Sequence, residues 1–358
     1  MQKFNIKIRH IRSLVSPNIR NLRAYNAKEI PCRVKLDANE SPYGFEINDK
    51  ILKSIKTNRY PDPEAKTLKK IIAKNLRLNP ENILFGNGSD ELIYYLITVF
   101  GGPVLYPVPT FSMYGIISQA LGEKRIEVPL DDEFDLDTDR ILSLIKKEKP
   151  GIIFLSSPNN PTGNCFSADR ILKIVEFTSS LVTGHLSLVV IDEAYQPFSS
   201  EKGFLPMLSD YKNLVILRTL SKIGFAGLRV GFMIADREII NEVNKVRLPF
   251  NLNSVSQSVA SALIKNTNII KLHIGLITSE RERLLNELWG IKGIKPYPSE
   301  ANFILFRTKN SDKIYYRLLK KGVLVRNMKG AVNGCLRVTI GTKKENNIFI
   351  KTLKEVMK

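Results

Sequence analysis

Lys222 lies in the segment TLSKIGFAGLRVG, residues 219–231, just after the hydroxyls of Thr219 and Ser221 and shortly before Arg229. A lysine whose surroundings keep part of it deprotonated is a nucleophile that forms Schiff bases. The hydroxyls and guanidinium beside it suit a bound phosphate. Asp192 ends the apolar run LSLVVI, where its carboxylate could hold a proton on a heterocyclic nitrogen. In GNGSDELIYYL, residues 86–96, a glycine-containing turn leads into a helix beginning at Ser89 and Asp90. Free N–H groups and the helix dipole favour an anion there. Singly, these residues read as a surface lysine, a capping aspartate and an ordinary capped helix. Jointly, at the ends of strands, they favour an amine nucleophile beside a bound phosphate.

The elements that must position them follow from hydrophobic pattern. From about residue 80 to 235, short apolar runs alternate with longer amphipathic ones, which predicts a mainly parallel sheet covered by helices. Strands are expected within 104–106, 152–155, 188–191, 214–217 and 230–234. SSPNNPTGN, DEAYQP and RTLSK follow three of them. In open α/β sheets ligands bind beyond the carboxyl ends of the strands, so these loops should converge on one site. After about residue 255 the pattern changes to a long helix over 273–289, then ANFILFR, VLVRNM, CLRVTIG and a terminal helix, which reads as a smaller α+β domain.

Composition narrows the field. A chain of 358 residues, 43% hydrophobic and 25% charged, is long enough for two domains. The basic N-terminus lacks an unbroken apolar stretch of signal-peptide length, and the longest apolar run is far shorter than a membrane span, so a cytoplasmic location is expected. Cys32, Cys165 and Cys335 have neither disulfide-framework nor zinc-ligand spacing, and His10, His185 and His273 stand isolated, so no metal centre is expected. The net charge of +19 is interspersed with acids rather than gathered in one arm, which argues against nucleic acid as partner. A nicotinamide-dinucleotide fingerprint fails because Glu91 stands where the third glycine belongs.

Ordered along the chain are NLRAYNA, LDANESPYG, RYPDPEAKTL, GNGSDELI, PTFSMYGI, PNNPTGN, IDEAY, TLSKIGFAGLRVG and CLRVTIGT. Each is weak alone, but together and in this order the chain resembles the fold-type I pyridoxal-phosphate-dependent aminotransferases, most closely the histidinol-phosphate aminotransferases. The resemblance implies an α/β fold with a large cofactor-binding domain over residues 45–255. It also implies a smaller α+β domain over 256–358, and an N-terminal arm, 1–44, that contributes to the smaller one.

It further implies that Lys222 is the Schiff-base lysine, that Asp192 pairs with the pyridine nitrogen, and that Tyr195 and Asn160 hydrogen-bond the phenolic oxygen. Tyr114 would stack on the ring face, and Ser89, Asp90, Thr219, Ser221 and Arg229 would surround the phosphate of pyridoxal 5'-phosphate. Tyr60 is similar to a residue that reaches a neighbouring subunit's cofactor, which implies a homodimer. Tyr25, Asn39, Arg326 and Arg337 are the implied substrate contacts, for histidinol phosphate in one half-reaction and glutamate or 2-oxoglutarate in the other. A threonine-phosphate decarboxylase and an aromatic-amino-acid aminotransferase share these cofactor motifs and stand as alternatives. A DNA-binding regulator with an aminotransferase-like domain is disfavoured, because the resemblance begins by residue 21.

Overall fold

The computed structural model describes residues 12–22, 30–179 and 185–358. Two sheets organise it. The larger has seven strands in the order β2-β8-β7-β6-β5-β3-β4. These are β2 (Ile83–Asn87), β3 (Val104–Val108), β4 (Arg125–Pro129), β5 (Ile152–Ser156), β6 (Leu188–Asp192), β7 (Leu214–Thr219) and β8 (Val230–Ala235). Neighbours from β7 across to β4 run parallel, while β8 is antiparallel to both β7 and β2. The five predicted runs all fall inside observed strands, and β2 and β4 add two that the pattern did not single out.

The apolar runs are continuous because this sheet is covered on both faces. Successive side chains alternate between two cores: Ile153, Leu155, Val189 and Ile191 enter one, and Ile152, Phe154, Leu188 and Val190 enter the other. Each such side chain contributes about 1.5–3 kcal/mol when fully buried. Polar side chains have no place until the strands end, so the chemistry-bearing residues sit at their carboxyl termini.

The smaller sheet has the order β1-β11-β12-β10-β9. Its strands are β1 (Val34–Leu36), β9 (Ile294–Pro296), β10 (Phe303–Thr308), β11 (Val323–Asn327) and β12 (Cys335–Thr339). β1 pairs parallel with β11, so the N-terminal segment joins the C-terminal sheet. The long helix runs Thr267–Trp289, and the terminal helix, Lys343–Met357, begins with a capping box between Thr342 and Glu345. A third core cluster gathers Val34, Phe303, Val325, Leu336 and Phe349 with Ala194, Tyr195 and Phe198 from the loop after β6. Tyr195 therefore stands at the seam between the sheets. No helix among the described residues is long and apolar enough to cross a membrane.

Candidate active site

A cleft of about 510 Å³ opens beyond the carboxyl ends of β5, β6 and β7, and its walls include Ser89, Asp90, Asn160, Asp192, Tyr195, Thr219, Ser221, Lys222 and Arg229. Residues from four separate loops thus meet, as the strand-end argument requires. A larger depression of about 930 Å³, lined by Gln119, Lys124, Arg125 and neighbours, gathers none of the predicted site residues.

The anion-binding end is built on backbone. The helix Ser89–Phe100 starts after Gly88, at φ 80°. A Cβ on Gly88 would lie 2.4 Å from Arg229 Nη2, so only glycine lets the guanidinium lie over this turn. The Gly88 N–H donates to the Arg229 carbonyl at 2.8 Å, and Arg229 itself is left-handed at φ 53°. Its Nη2 is 3.5 Å from Asp90 Oδ2. The Thr219 hydroxyl accepts the Ser221 N–H at 3.1 Å and lies 2.9 Å from the Ser221 hydroxyl. First-turn N–H groups, two hydroxyls and a guanidinium form a donor set for a phosphate.

Asp192 terminates β6 and is buried. Its Oδ2 accepts the Tyr114 hydroxyl at 2.8 Å and its Oδ1 accepts the Ala194 N–H at 3.0 Å. Burial pushes its pKa up to about 6, against the pull of the Tyr114 and Ala194 hydrogen bonds and of Lys222. A carboxylate this costly to ionise is one that a cation in the cleft would stabilise. Lys222 Nζ lies over the Tyr195 ring, 5.6 Å from its centre.

Two predicted roles are corrected. Tyr114 does not face the cleft: it is fully buried in the helix Met113–Leu121, stacked on Phe154 at 4.7 Å, with its hydroxyl spent on Asp192. The aromatic wall of the cleft is Phe111. Phe111 precedes the helix, outside the turn that packs under the sheet, and that position in PTFSMYGI is the signal that separates the two aromatics. Asn39 does not line the cleft either. It is buried behind Tyr195, at φ 55°, and donates from Nδ2 to the Tyr195 hydroxyl at 2.9 Å.

Asn159, which the sequence reading passed over for Asn160, ties the two loops together. Its Nδ2 donates to the Pro109 carbonyl at 3.0 Å and its Oδ1 accepts the Thr110 hydroxyl at 2.8 Å. Asn160 Oδ1 accepts from Arg337 Nη1.

Arg337 is buried in β12, donates to the Asp37 carbonyl at 2.9 Å, and lies over the Phe303 ring at 5.1 Å. Arg326 on β11 is its direct cross-strand partner and is exposed. Neither arginine is among the residues that line the cleft. Tyr60 is 81% exposed and absent from the walls of this chain's cleft; it stacks on Phe250 at 4.5 Å. Arg247 holds its segment through the Pro63 carbonyl and Glu64, both at 2.8 Å. Tyr25 lies outside the described residues.

A model of the family "Aminotransferase class I and II" matches residues 21–353. The chain is 44% identical to the histidinol-phosphate aminotransferase of Aquifex aeolicus, over 96% of this chain and 98% of that one. It superposes with TM-score 0.82 on the histidinol-phosphate aminotransferase of Clostridium acetobutylicum, at 27% identity, covering 90% of this chain and 98% of that one. The fold is also that of the Sinorhizobium meliloti enzyme of the same name, solved in complex with pyridoxal-5'-phosphate, with TM-score 0.84, 24% identity and coverage of 96% and 98%.

Proposed function

Because the chain belongs to the class I and II aminotransferases and, among them, to the histidinol-phosphate aminotransferases, we propose that it moves an amino group between histidinol phosphate and 2-oxoglutarate. The observation that carries this reading is the meeting of Lys222, buried Asp192 and the Ser89 helix start in one cleft. The residues fit pyridoxal 5'-phosphate: a buried acid suited to a ring cation, an aromatic wall, and a donor set for a phosphate.

When bound, this cofactor supplies an electron sink for negative charge at the amine-bearing carbon of the substrate. Lys222 would be the residue that holds the cofactor, and its Nζ, when free, would take the proton from that carbon. Asp192 would keep a proton on the ring nitrogen, Tyr195 and Asn160 would serve the phenolic oxygen, and Phe111, in place of Tyr114, would supply the aromatic wall. Ser89 and Asp90 serve the phosphate through their backbone N–H groups, since the Asp90 carboxylate is turned to Arg229. Thr219, Ser221 and Arg229 complete that clamp.

Arg337 and Arg326 take the substrate's phosphate or carboxylate, and the resemblance assigns Tyr25 to the same substrate. Tyr60 is donated to the cofactor phosphate of a second copy, so the working unit is a homodimer. Residues 45–255 form the cofactor-binding domain; 256–358, with 1–44, form the smaller one. The enzyme acts in the cytoplasm on small molecules, without nucleic acid or membrane as partner.

The test is a substrate screen on the purified, cofactor-loaded protein. Glutamate formation should require both histidinol phosphate and 2-oxoglutarate. Carbon dioxide release from O-phosphothreonine without 2-oxoglutarate would replace this reading with a decarboxylase. Preference for an aromatic amino acid, or for dephosphorylated histidinol, would replace it with an aromatic aminotransferase.

A further inference from the structure

Asn39 belongs to neither wall of the cleft, yet every polar group it has is committed. Its backbone N–H donates to Thr339 Oγ1 at 2.9 Å, and its carbonyl accepts Asn302 Nδ2 at 3.0 Å. Thr339 Oγ1 in turn donates to Asn39 Oδ1 at 3.2 Å, which leaves Nδ2 as the group facing the Tyr195 hydroxyl at 2.9 Å. All four residues are buried. Reversing the amide would strip the Thr339 hydroxyl hydrogen of the acceptor it has here, at the cost of an unsatisfied buried donor. The polarity is therefore set: Asn39 donates and Tyr195 accepts. With one lone pair of its oxygen taken by the amide, the Tyr195 hydroxyl has its own hydrogen left to give, and Tyr195 borders the cleft where Lys222 lies over its ring.

We propose that Asn39 is a positioning residue that holds Tyr195 as a hydrogen-bond donor into the cleft, anchored through Thr339 and Asn302 to the smaller sheet. Seating of β12 and β10 is thereby read at the phenolic oxygen of the cofactor. The inference rests on the assignment of Tyr195 to that oxygen. It accounts for an asparagine in left-handed backbone at φ 55°, since asparagine tolerates that conformation and brings an amide of the required reach.

The readout is the pH midpoint of the visible absorbance change of bound pyridoxal phosphate. A donor to the phenolic oxygen favours the form in which that oxygen carries charge, so losing the donor raises the midpoint. Among the described residues Lys222, Asp192 and Tyr114 are ionisable groups beside Tyr195, and Asn39→Gly and Tyr195→Phe leave all three unchanged. Asn39→Gly keeps the left-handed backbone and removes only the amide. It should raise the midpoint by about half a pH unit to one, in the same direction as Tyr195→Phe. Asn39→Asp, which offers an acceptor and turns the hydroxyl hydrogen away from the cleft, should raise it at least as far. In the Tyr195→Phe background, Asn39→Gly should add nothing. A shift in Tyr195→Phe with none in Asn39→Gly overturns the proposal, and so does a full Asn39→Gly effect that persists in the Tyr195→Phe background. A midpoint unmoved by Tyr195→Phe overturns the cofactor assignment of Tyr195 and this inference with it.

Discussion

The two ends of the cleft are built by different means. At the cofactor end each group is fixed by the larger sheet: Asp192 by Tyr114 and Ala194, Ser221 by Thr219, the Ser89 turn by Arg229. The two arginines proposed to take the substrate are paired in register on β11 and β12, one buried and bonded to Asn160, the other exposed. The first end is held by hydrogen bonds within and beside the larger sheet; the second end rests on two strands of the smaller one. Substitutions should therefore damage every substrate alike at the first end and discriminate between substrates at the second.

The largest loss is expected for Lys222→Ala. Removing both the covalent anchor and the general base should cut turnover by about 10^4-fold or more while pyridoxal phosphate still binds. Borohydride reduction of the loaded wild-type protein followed by peptide mapping should place the label on Lys222; label on another lysine would undo the assignment.

Asp192→Asn comes next, with turnover lowered by roughly 10^2-fold to 10^3-fold for all substrates. Its effect on the cofactor-free protein has the opposite sign. Because burial raises the Asp192 pKa from 3.8 to about 6, the folded protein binds this proton more tightly than the unfolded chain. Stability is then lost as pH rises through that interval, and the loss is complete above it. The variant should be more stable than wild type by on the order of 2 kcal/mol near pH 7, with no difference below pH 4. Urea melts across pH measure this, and equal stability at pH 7 would remove the buried charge from the account.

The substrate end is sharpened by Arg326→Ala. Loss of one partner from a charged contact should lower kcat/KM for histidinol phosphate at least about tenfold more than for glutamate. Arg337→Ala should harm both half-reactions, since this arginine also orients Asn160. Equal losses in Arg326→Ala would erase the distinction between the two ends.

The smallest effect concerns Tyr60. If the Tyr60 hydroxyl serves a second copy's cofactor phosphate as proposed, Tyr60→Phe should weaken cofactor binding roughly fivefold by equilibrium dialysis. Phe250→Ala should weaken it in the same direction, because it releases the ring stack that holds Tyr60 out from its own subunit. A fully active monomer by sedimentation would show that no second copy is needed.

The larger sheet was legible because both its faces are covered, so β5, β6 and β7 spell near-continuous apolar runs that end where polar loops begin. β4 escaped notice for the converse reason. As an edge strand with Arg125 and Glu127 turned outward, its buried residues alternate with charged ones and resemble a loop. Lys222, Asp192 and the Ser89 turn were readable as residue types at strand ends. Tyr114 and Phe111 were not separable by type, since a helix start decides which of two nearby aromatics turns under the sheet. Asn39 was named as a substrate contact, and its burial behind Tyr195 was not readable because its partners Thr339 and Asn302 lie far along the chain.

The lone antiparallel strand of the larger sheet also bears on how this protein can vary. Parallel neighbours are joined by helical crossovers, whose outer turns can absorb an extra residue or lose one. Lys222 instead sits between β7 and β8, adjacent antiparallel strands locked at Thr219 and Gly231, with the Leu220 N–H bonded to the Val230 carbonyl at 2.9 Å. Ten intervening positions, 220–229, must carry the lysine, both short turns and the left-handed Arg229 in a span whose ends are pinned. A change of length here has to be taken up in the two short turns between Lys222 and Arg229, because the strand ends on either side are pinned.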